Sequence, residues 1–487
     1  MAQLLPTTLV IFGSSGNLSK HKLIPALYKL LAADQLPNKF AMIAIFRDTK
    51  QNINNLFQEA EIQVLRDHME CDPKIMSRLK SLMKPLIIDS TNHEDYIKLR
   101  QLLESIDEEN GVAMDRLFYL AIPPKIFTSV VTCLGESGLN VPNENSRHAS
   151  RILVEKPFGS DLTTSKVLIS HMSRYFGERQ IYRVDHYLAK ETAQNILAFR
   201  FDNPLIEAIW NREFIDHIQI TAAENAGIEW RVGYYEGTGA LRDIVQSHLL
   251  QIMSLVMMEH PEGLTPTSIH KEKLALLKSV EPIDPNFVNK VAVRGQYDTY
   301  RSEVNNPEST TETYAALKLG VTNKRWGGVP IFLRSGKALA QKTTEIHVIF
   351  KDRVHQSLTP NQLIIHIQPK EGITLNLMAK KPGLTNDLQQ VAMEFNYRDS
   401  FANQATADAY QRVLTDAMRG DQSLFATSEE VLACWEILQP LVDNWNEDSK
   451  SLQTYPSSSW GPTASDTLAS NFGYEWLNPI PPEISKD

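Results

Sequence analysis

Cysteine is scarce in this chain: Cys71, Cys133 and Cys434 are the three in 487 residues, far apart and without a CxxC. That excludes a disulfide framework and a zinc ribbon, and it fits a reducing, cytoplasmic setting. Long apolar runs are missing too. The longest, LLQIMSLVMM at 249–258, is about half of what a bilayer span requires, so no membrane segment is expected. The start, MAQLLPTTLVIFG, has no basic stretch before its short apolar run and leads into a glycine turn, so it reads as a first strand and not as a leader. The net charge of -9 arises from 58 acidic and 49 basic residues with no block of one sign. A nucleic-acid arm is therefore not expected, and an anionic ligand would need a local basic pocket. No HExxH or similar spacing occurs, and no metal is expected.

What is present is ordinary for a globular protein: 42% hydrophobic and 22% charged residues. At about 150 residues per domain the length suggests two to four domains, and two suffice for the pattern. Short β-branched or apolar runs, TLVIF (8–12), AMIAIF (41–46), PLIID (85–89), RLFYLAI (116–122), RILVE (151–155) and IYRV (181–184), alternate with stretches of helical spacing. This implies right-handed crossovers and a doubly wound, Rossmann-type α/β domain over residues 1–185. Later runs, EIHVIFK (345–351), QLIIHIQ (362–368) and ITLNLMA (373–379), follow closely with partial period-two alternation. They predict a larger α+β domain with a mostly antiparallel sheet over 186–487. The last forty or so residues, rich in Ser, Pro and Thr, read as laid over the surface. His347 and His366, in these later strands, read as outward-facing polar residues.

In TLVIFGSSGNLSKHK, Gly13 and Gly16 stand where the first strand turns into the first helix. A phosphate there would meet bare N–H groups and the positive end of a helix. The second strand ends in FRD, and Arg47 favours the 2′-phosphate of NADP, with Asp48 as a competitor for a ribose hydroxyl. AIPP at 121–124 would lie beside the glycine loop across the switch point.

IYRVDHYLAKE at 181–191 crowds ionisable groups together. If 181–187 is extended, Asp185 and His186 point to opposite faces and cannot easily pair. Asp185 then needs another histidine. The best candidate is His248 in GALRDIVQSHLLQIMSLVMM, a helical pattern in which it shares a four-residue stripe with Ile244 and Ile252; a buried histidine satisfied by a carbonyl is the plain alternative.

RVDHYLAKETAQNI, EKPFG at 155–159, GSSGNLSKHK, ALRDIVQSHLLQ at 240–251 and FLRSGKAL at 332–339 together resemble the glucose-6-phosphate dehydrogenase family along nearly the whole chain. The resemblance implies oxidation of glucose 6-phosphate at C1 to the phosphogluconolactone, the entry step of the pentose phosphate pathway, with hydride passing to NADP. It implies His248 as general base, oriented by Asp185. It implies His186, Tyr187 and Lys190 on the sugar phosphate, and Lys156, Glu224, Asp243, Lys337, Lys342 and Lys22 around sugar and cofactor, with Tyr410 of DAYQRVL as a further substrate contact. Gly13, Ser14, Ser15, Gly16, Asn17, Leu18, Arg47 and Lys156 would serve NADP. A homodimer or homotetramer is implied as well. The chain departs from the family in having Asn17 where Asp is usual, Ser19 where Ala is usual and Ala189 where Gly is usual. Two other readings stay open: a dehydrogenase of unphosphorylated sugars or cyclitols with a lysine in the same EKP position, and a cofactor-sensing protein without turnover.

Overall fold

The computed structural model describes residues 4–48, 50–67, 70–141, 149–229, 232–352, 359–401 and 407–478, with the side chain of Arg398 outside the described set. It divides into two compact units.

The first unit comprises Met1–Gly159, Thr163–Ala189 and Ala407–Ser428. Among the described residues its six parallel strands are β1 Thr7–Phe12, β2 Phe40–Phe46, β3 Met83–Ile87, β4 Asp115–Leu120, β5 Ser150–Val154 and β6 Ile181–Arg183, in the order β3-β2-β1-β4-β5-β6. β1 (TTLVIF) is wholly buried because helices cover both faces of a parallel sheet, which removes any reason for polar alternation. The order reverses between β1 and β4, the place where such sheets open a ligand crevice at their carboxyl ends. Local signals set the helices between strands. Asn52 and Asn92 accept from Asn55 N–H and Glu94 N–H at two helix starts, and Gly111, at φ 63°, ends the helix His93–Asn110 in the left-handed region. The core joins Leu9, Ile11, Leu27, Met42, Leu117 and Tyr119 to Val413, Leu414 and Met418. The last three come from the helix Ala409–Arg419, which the sequence pattern had assigned to the later domain.

The second unit comprises Ser160–Leu162, Lys190–Thr406 and Glu429–Asp487. Among the described residues it holds β7 Ile215–Ala223, β8 Ala292–Tyr297, β9 Tyr314–Leu319, β10 Ile331–Gly336, β11 Thr343–Phe350, β12 Gln362–Gln368, β13 Gly372–Lys380, β14 Leu388–Asn396 and β15 Gln453–Tyr455. They form one sheet in the order β14-β13-β12-β11-β7-β10-β9-β8-β15, antiparallel except where β10 meets β7 and β15 meets β8. β12 alternates buried and half-buried positions along its length, the period-two signature of a sheet covered on one face.

Two expectations fail here. The carboxyl-terminal stretch is not merely laid on the surface: β15 extends the sheet, and Tyr455, Leu468, Ala469 and Trp476 pack around Phe332, Tyr297 and Tyr314. Aromatic area explains this, since each such ring removes a large apolar surface from water. His347 is not outward-facing. It is buried, and its Nε2–H donates to Glu345 Oε2 at 3.1 Å; half-buried His366 donates from Nδ1 to Glu345 Oε1, also at 3.1 Å. A buried carboxylate recruits donors from its neighbours, and β11 and β12 supply them.

Candidate active site

In the first unit the glycine loop is built around Gly13, whose φ is 81°. A Cβ there would lie 2.2 Å from the carbonyl oxygen of Ala121, so only glycine lets β1 turn beside the AIPP segment. Gly16 N–H closes the turn on Gly13 O at 2.9 Å, Ser14 Oγ–H donates to Ile11 O at 2.8 Å, and Ser19 Oγ–H donates to Gly13 O at 3.1 Å. Ser15 and Leu18 are half-buried and Asn17 is exposed at the start of a helix that runs to Ala32. Its segment Ser19–Leu23 is π-helical, with Ile24 N–H reaching Ser19 O, and carries the exposed Lys22. The bare turn, the helix start and the absence of any acidic group in its first turn fit the phosphates of NADP. Arg47 stands exposed just past β2. Asp48 bends its carboxylate back onto Lys50 N–H at 2.9 Å, which ties it to its own turn.

At the ends of β5 and β6 the same unit gathers Glu155, Lys156 and Asp185. β6 stops at Arg183, and the chain turns over 186–189, so the extended reading through 187 is corrected. The cause is Asp185 itself, whose Oδ1 accepts from Tyr187 N–H at 2.8 Å and Leu188 N–H at 3.3 Å. A short acceptor bonding the backbone two residues on starts a turn wherever it sits. Asp185 and Tyr187 are buried and His186 half-buried, the two rings 5.1 Å apart. Glu155 escaped the sequence reading. Tyr119 Oη–H donates to its Oε1 at 2.5 Å, and the Tyr410 hydroxyl bonds the same carboxyl. Loss of solvent is the largest influence on Glu155 and raises its pKa; the Tyr119 hydrogen bond and the charge of Lys156 lower it, Asp185 raises it, and the result is about 7.

In the second unit the stretch Leu241–Leu249 is also π-helical and continues into the α-helix Leu250–Met257. It lies against β7, β9 and β10. His248 is 0% exposed and Asp243 is buried. At about 100° per residue an α-helix would set residues 243 and 248 roughly 140° apart. The i→i+5 turns bring them closer to one face, so the four-residue stripe of Ile244, His248 and Ile252 expected for an α-helix does not hold through this segment. Glu312 steadies its start, accepting from Leu241 N–H through Oε1 and from Ala240 N–H through its carbonyl. Tyr234 Oη–H reaches Asp243 Oδ1 at 3.4 Å. Lys337, buried just after β10, pairs with Glu224 after β7 and lies 5.1 Å from the ring centroid of Tyr235. Lys190 Nζ donates to Gln368 Oε1 at 2.5 Å, and Lys342 is exposed just before β11. Tyr234, Tyr235, Gln368 and Glu312 carried no sequence signal, because aromatic, amide and acidic residues at such positions have many ordinary uses.

A doubly wound domain with a glycine turn after its first strand, followed in the chain by a unit built on one mixed sheet, is the architecture of a nicotinamide-dependent dehydrogenase. The family model described as glucose-6-phosphate dehydrogenase, NAD binding domain, matches residues 10–195, and the one described as its C-terminal domain matches residues 197–477. The chain belongs to the glucose-6-phosphate dehydrogenase family. It is 40% identical to the glucose-6-phosphate 1-dehydrogenase of Aggregatibacter actinomycetemcomitans, covering 97% of each chain, and 38% identical to that of Chlamydia muridarum, covering 97% of this chain and 96% of the other. A solved glucose-6-phosphate dehydrogenase in complex with its substrate glucose-6-phosphate superposes with a TM-score of 0.90 at 32% identity, over 98% of this chain and 100% of that one.

Proposed function

We propose that the protein oxidises D-glucose 6-phosphate at C1 to 6-phospho-D-glucono-1,5-lactone with NADP, as the entry step of the pentose phosphate pathway. The observation that carries this reading is a likeness, over nearly the whole chain, to a solved relative in complex with glucose-6-phosphate. Oxidation removes a hydride from C1 and a proton from its hydroxyl. NADP, when bound, accepts the hydride. His248 takes the proton, and Asp185 is the carboxylate that orients its ring and stabilises the imidazolium, a task worth about 10²–10⁴-fold in rate. His186, Tyr187 and Lys190 donate to the phosphate, and Lys156, Glu224, Asp243, Lys337, Lys342 and Lys22 position the sugar and the nicotinamide side. Gly13 to Leu18 receive the cofactor phosphates. Arg47 receives the 2′-phosphate, a role supported by the engagement of Asp48 with its own turn.

Self-association as a homodimer or homotetramer is part of this reading. Its support is the edge strand β14, on which Val391 and Met393 are exposed, next to a groove of about 680 Å³ lined by Leu205, Trp210, Phe214, Leu363, Leu375 and Leu388. All three cysteines are free thiols, which supports a cytoplasmic setting.

A spectrophotometric assay tests the reaction. NADPH should form with glucose 6-phosphate and far more slowly with glucose. Equal rates on glucose would transfer the assignment to dehydrogenases of unphosphorylated sugars, and no NADPH with any sugar phosphate would leave only a binding protein.

A further inference from the structure

We infer that Glu155 is a positioning residue for this reaction: clasped by the hydroxyls of Tyr119 and Tyr410, it braces the strand end that presents Lys156 and sets the electrostatic surroundings of Asp185. The inference rests on the reading above, in which Lys156 and Asp185 serve the substrate and the base.

The geometry is specific. Glu155 is the first residue past β5, which lies between β4 and the edge strand β6, and Lys156 follows it directly. Tyr119 projects from the neighbouring strand β4 and is 0% exposed. Burial holds its own pKa well above the usual value, so its hydroxyl stays a donor throughout the working range. Tyr410 comes from the helix Ala409–Arg419, whose start is fixed by Asp408 accepting from Tyr410 N–H at 2.8 Å. That bond, and the packing of the helix onto the first unit, carry a residue more than two hundred positions away onto the EKP strand end. The Tyr410 hydroxyl is thereby assigned to Glu155 and through it to the site. The groups that act on the Glu155 carboxyl are Tyr119 from β4, Tyr410 from the later helix, Lys156 from its own segment and Asp185 from the end of β6.

Two carboxyls that sense each other resist ionising together. While Glu155 holds its proton, Asp185 is the carboxylate of the pair and Lys156 is not drawn towards a second anion. When Glu155 loses its proton, a negative charge appears beside both. Proton affinity at Asp185 and at the base it serves then rises, and Lys156 gains a competing partner. A carboxyl poised near neutrality makes that change within the range where the enzyme works.

The experiment compares pH profiles of kcat and kcat/KM for glucose 6-phosphate in the full-length wild type and in Glu155→Gln, which keeps the shape and the acceptor for Tyr119 but cannot ionise. The wild-type profile should carry an ionisation near 7 beyond that of the base. In Glu155→Gln it should vanish, with kcat/KM lower by about tenfold on the side where its charge matters. Superimposed profiles with equal kcat/KM would overturn the inference. Tyr119→Phe removes a bond that favours the ionised form, so it should move the same ionisation to higher pH; an unmoved ionisation counts against the role. A protonated-carboxyl infrared band that titrates in wild type and is missing in Glu155→Gln reads the group without catalysis, and its absence from wild type also overturns the inference. His248→Asn separates the two layers: full activity there would sink the assignment of the base, whereas an inactive His248→Asn together with an unchanged Glu155→Gln profile would sink only the role of Glu155.

Discussion

The two units hold the residues given to the proposed chemistry in opposite ways. In the first, the groups stand at strand ends and in turns: Gly13 and Gly16 after β1, Arg47 after β2, Lys156 after β5, Asp185 and His186 after β6. In the second, Asp243 and His248 lie inside a buried helix, and Lys337 is buried just past the end of β10. The contrast is sharpest in two glutamates. Glu155 and Glu345 both lose solvent, which by itself raises a carboxyl's pKa. For Glu155 the donors are hydroxyls and a second carboxylate is near, and it ends at about 7. For Glu345 two imidazoles outweigh the burial, and it ends at about 2. Burial is shared; the partners decide the sign.

The contrast breaks first at the base. His248→Asn should lower kcat by about 10²–10⁴ while leaving the KM for glucose 6-phosphate near its original value. Near-normal turnover would show that the buried helix is packing and not chemistry.

The two glutamates give opposite dependences of stability on pH. A carboxyl whose native pKa lies below its unfolded value stabilises above the unfolded value and ceases to do so as pH falls through the native one. Glu345, lowered from 4.5 to about 2, should therefore contribute at neutral pH and lose its contribution between those two values. Glu345→Gln should cost about 2–3 kcal/mol in urea unfolding at pH 7 and much less near pH 3. A difference that stays constant with pH would mean that the histidines are not its partners in solution.

Glu155 is raised from 4.5 to about 7, so the sign reverses. Its contribution is complete below pH 4.5 and fades as pH rises through about 7. The stability of Glu155→Gln relative to wild type should therefore improve by about 2 kcal/mol between those limits, measured by the same unfolding series. A parallel pair of curves would make the two glutamates alike after all.

The smallest effect belongs to the exposed end of the first unit. Arg47→Ala should raise the KM for NADP by about tenfold and leave that for NAD almost unchanged, since one charge-assisted contact is removed. Equal changes for both cofactors would deny Arg47 its 2′-phosphate.

Much of this could be read from the residues alone, for identifiable reasons. β1 to β6 stand within two residues of their apolar runs at either end, because strand–helix alternation is a local pattern. Gly13 was found by position, and its positive φ and contact with Ala121 explain why that position tolerates no side chain. The turn at 186–189 was missed although Asp185 creates it, because the same residue in a strand end and in a turn leaves no different trace in a string of letters. The widening of Leu241–Leu249 was missed for a related reason: α- and π-helical segments draw on the same residues, and packing chooses between them.

By itself the amino-acid order determined two folding units of different kind, a glycine turn after the first strand, and the acids, bases and cations to which the proposed dehydrogenase chemistry is given. Each follows from spacing and side-chain chemistry, which act over a few residues. Only the tertiary structure decided who faces whom: Tyr119 and Tyr410 on Glu155, His347 and His366 on Glu345, Glu224 on Lys337. Those partners come from different strands and from a helix distant in sequence. The charge a buried group carries depends on its neighbours in space, which no local pattern specifies.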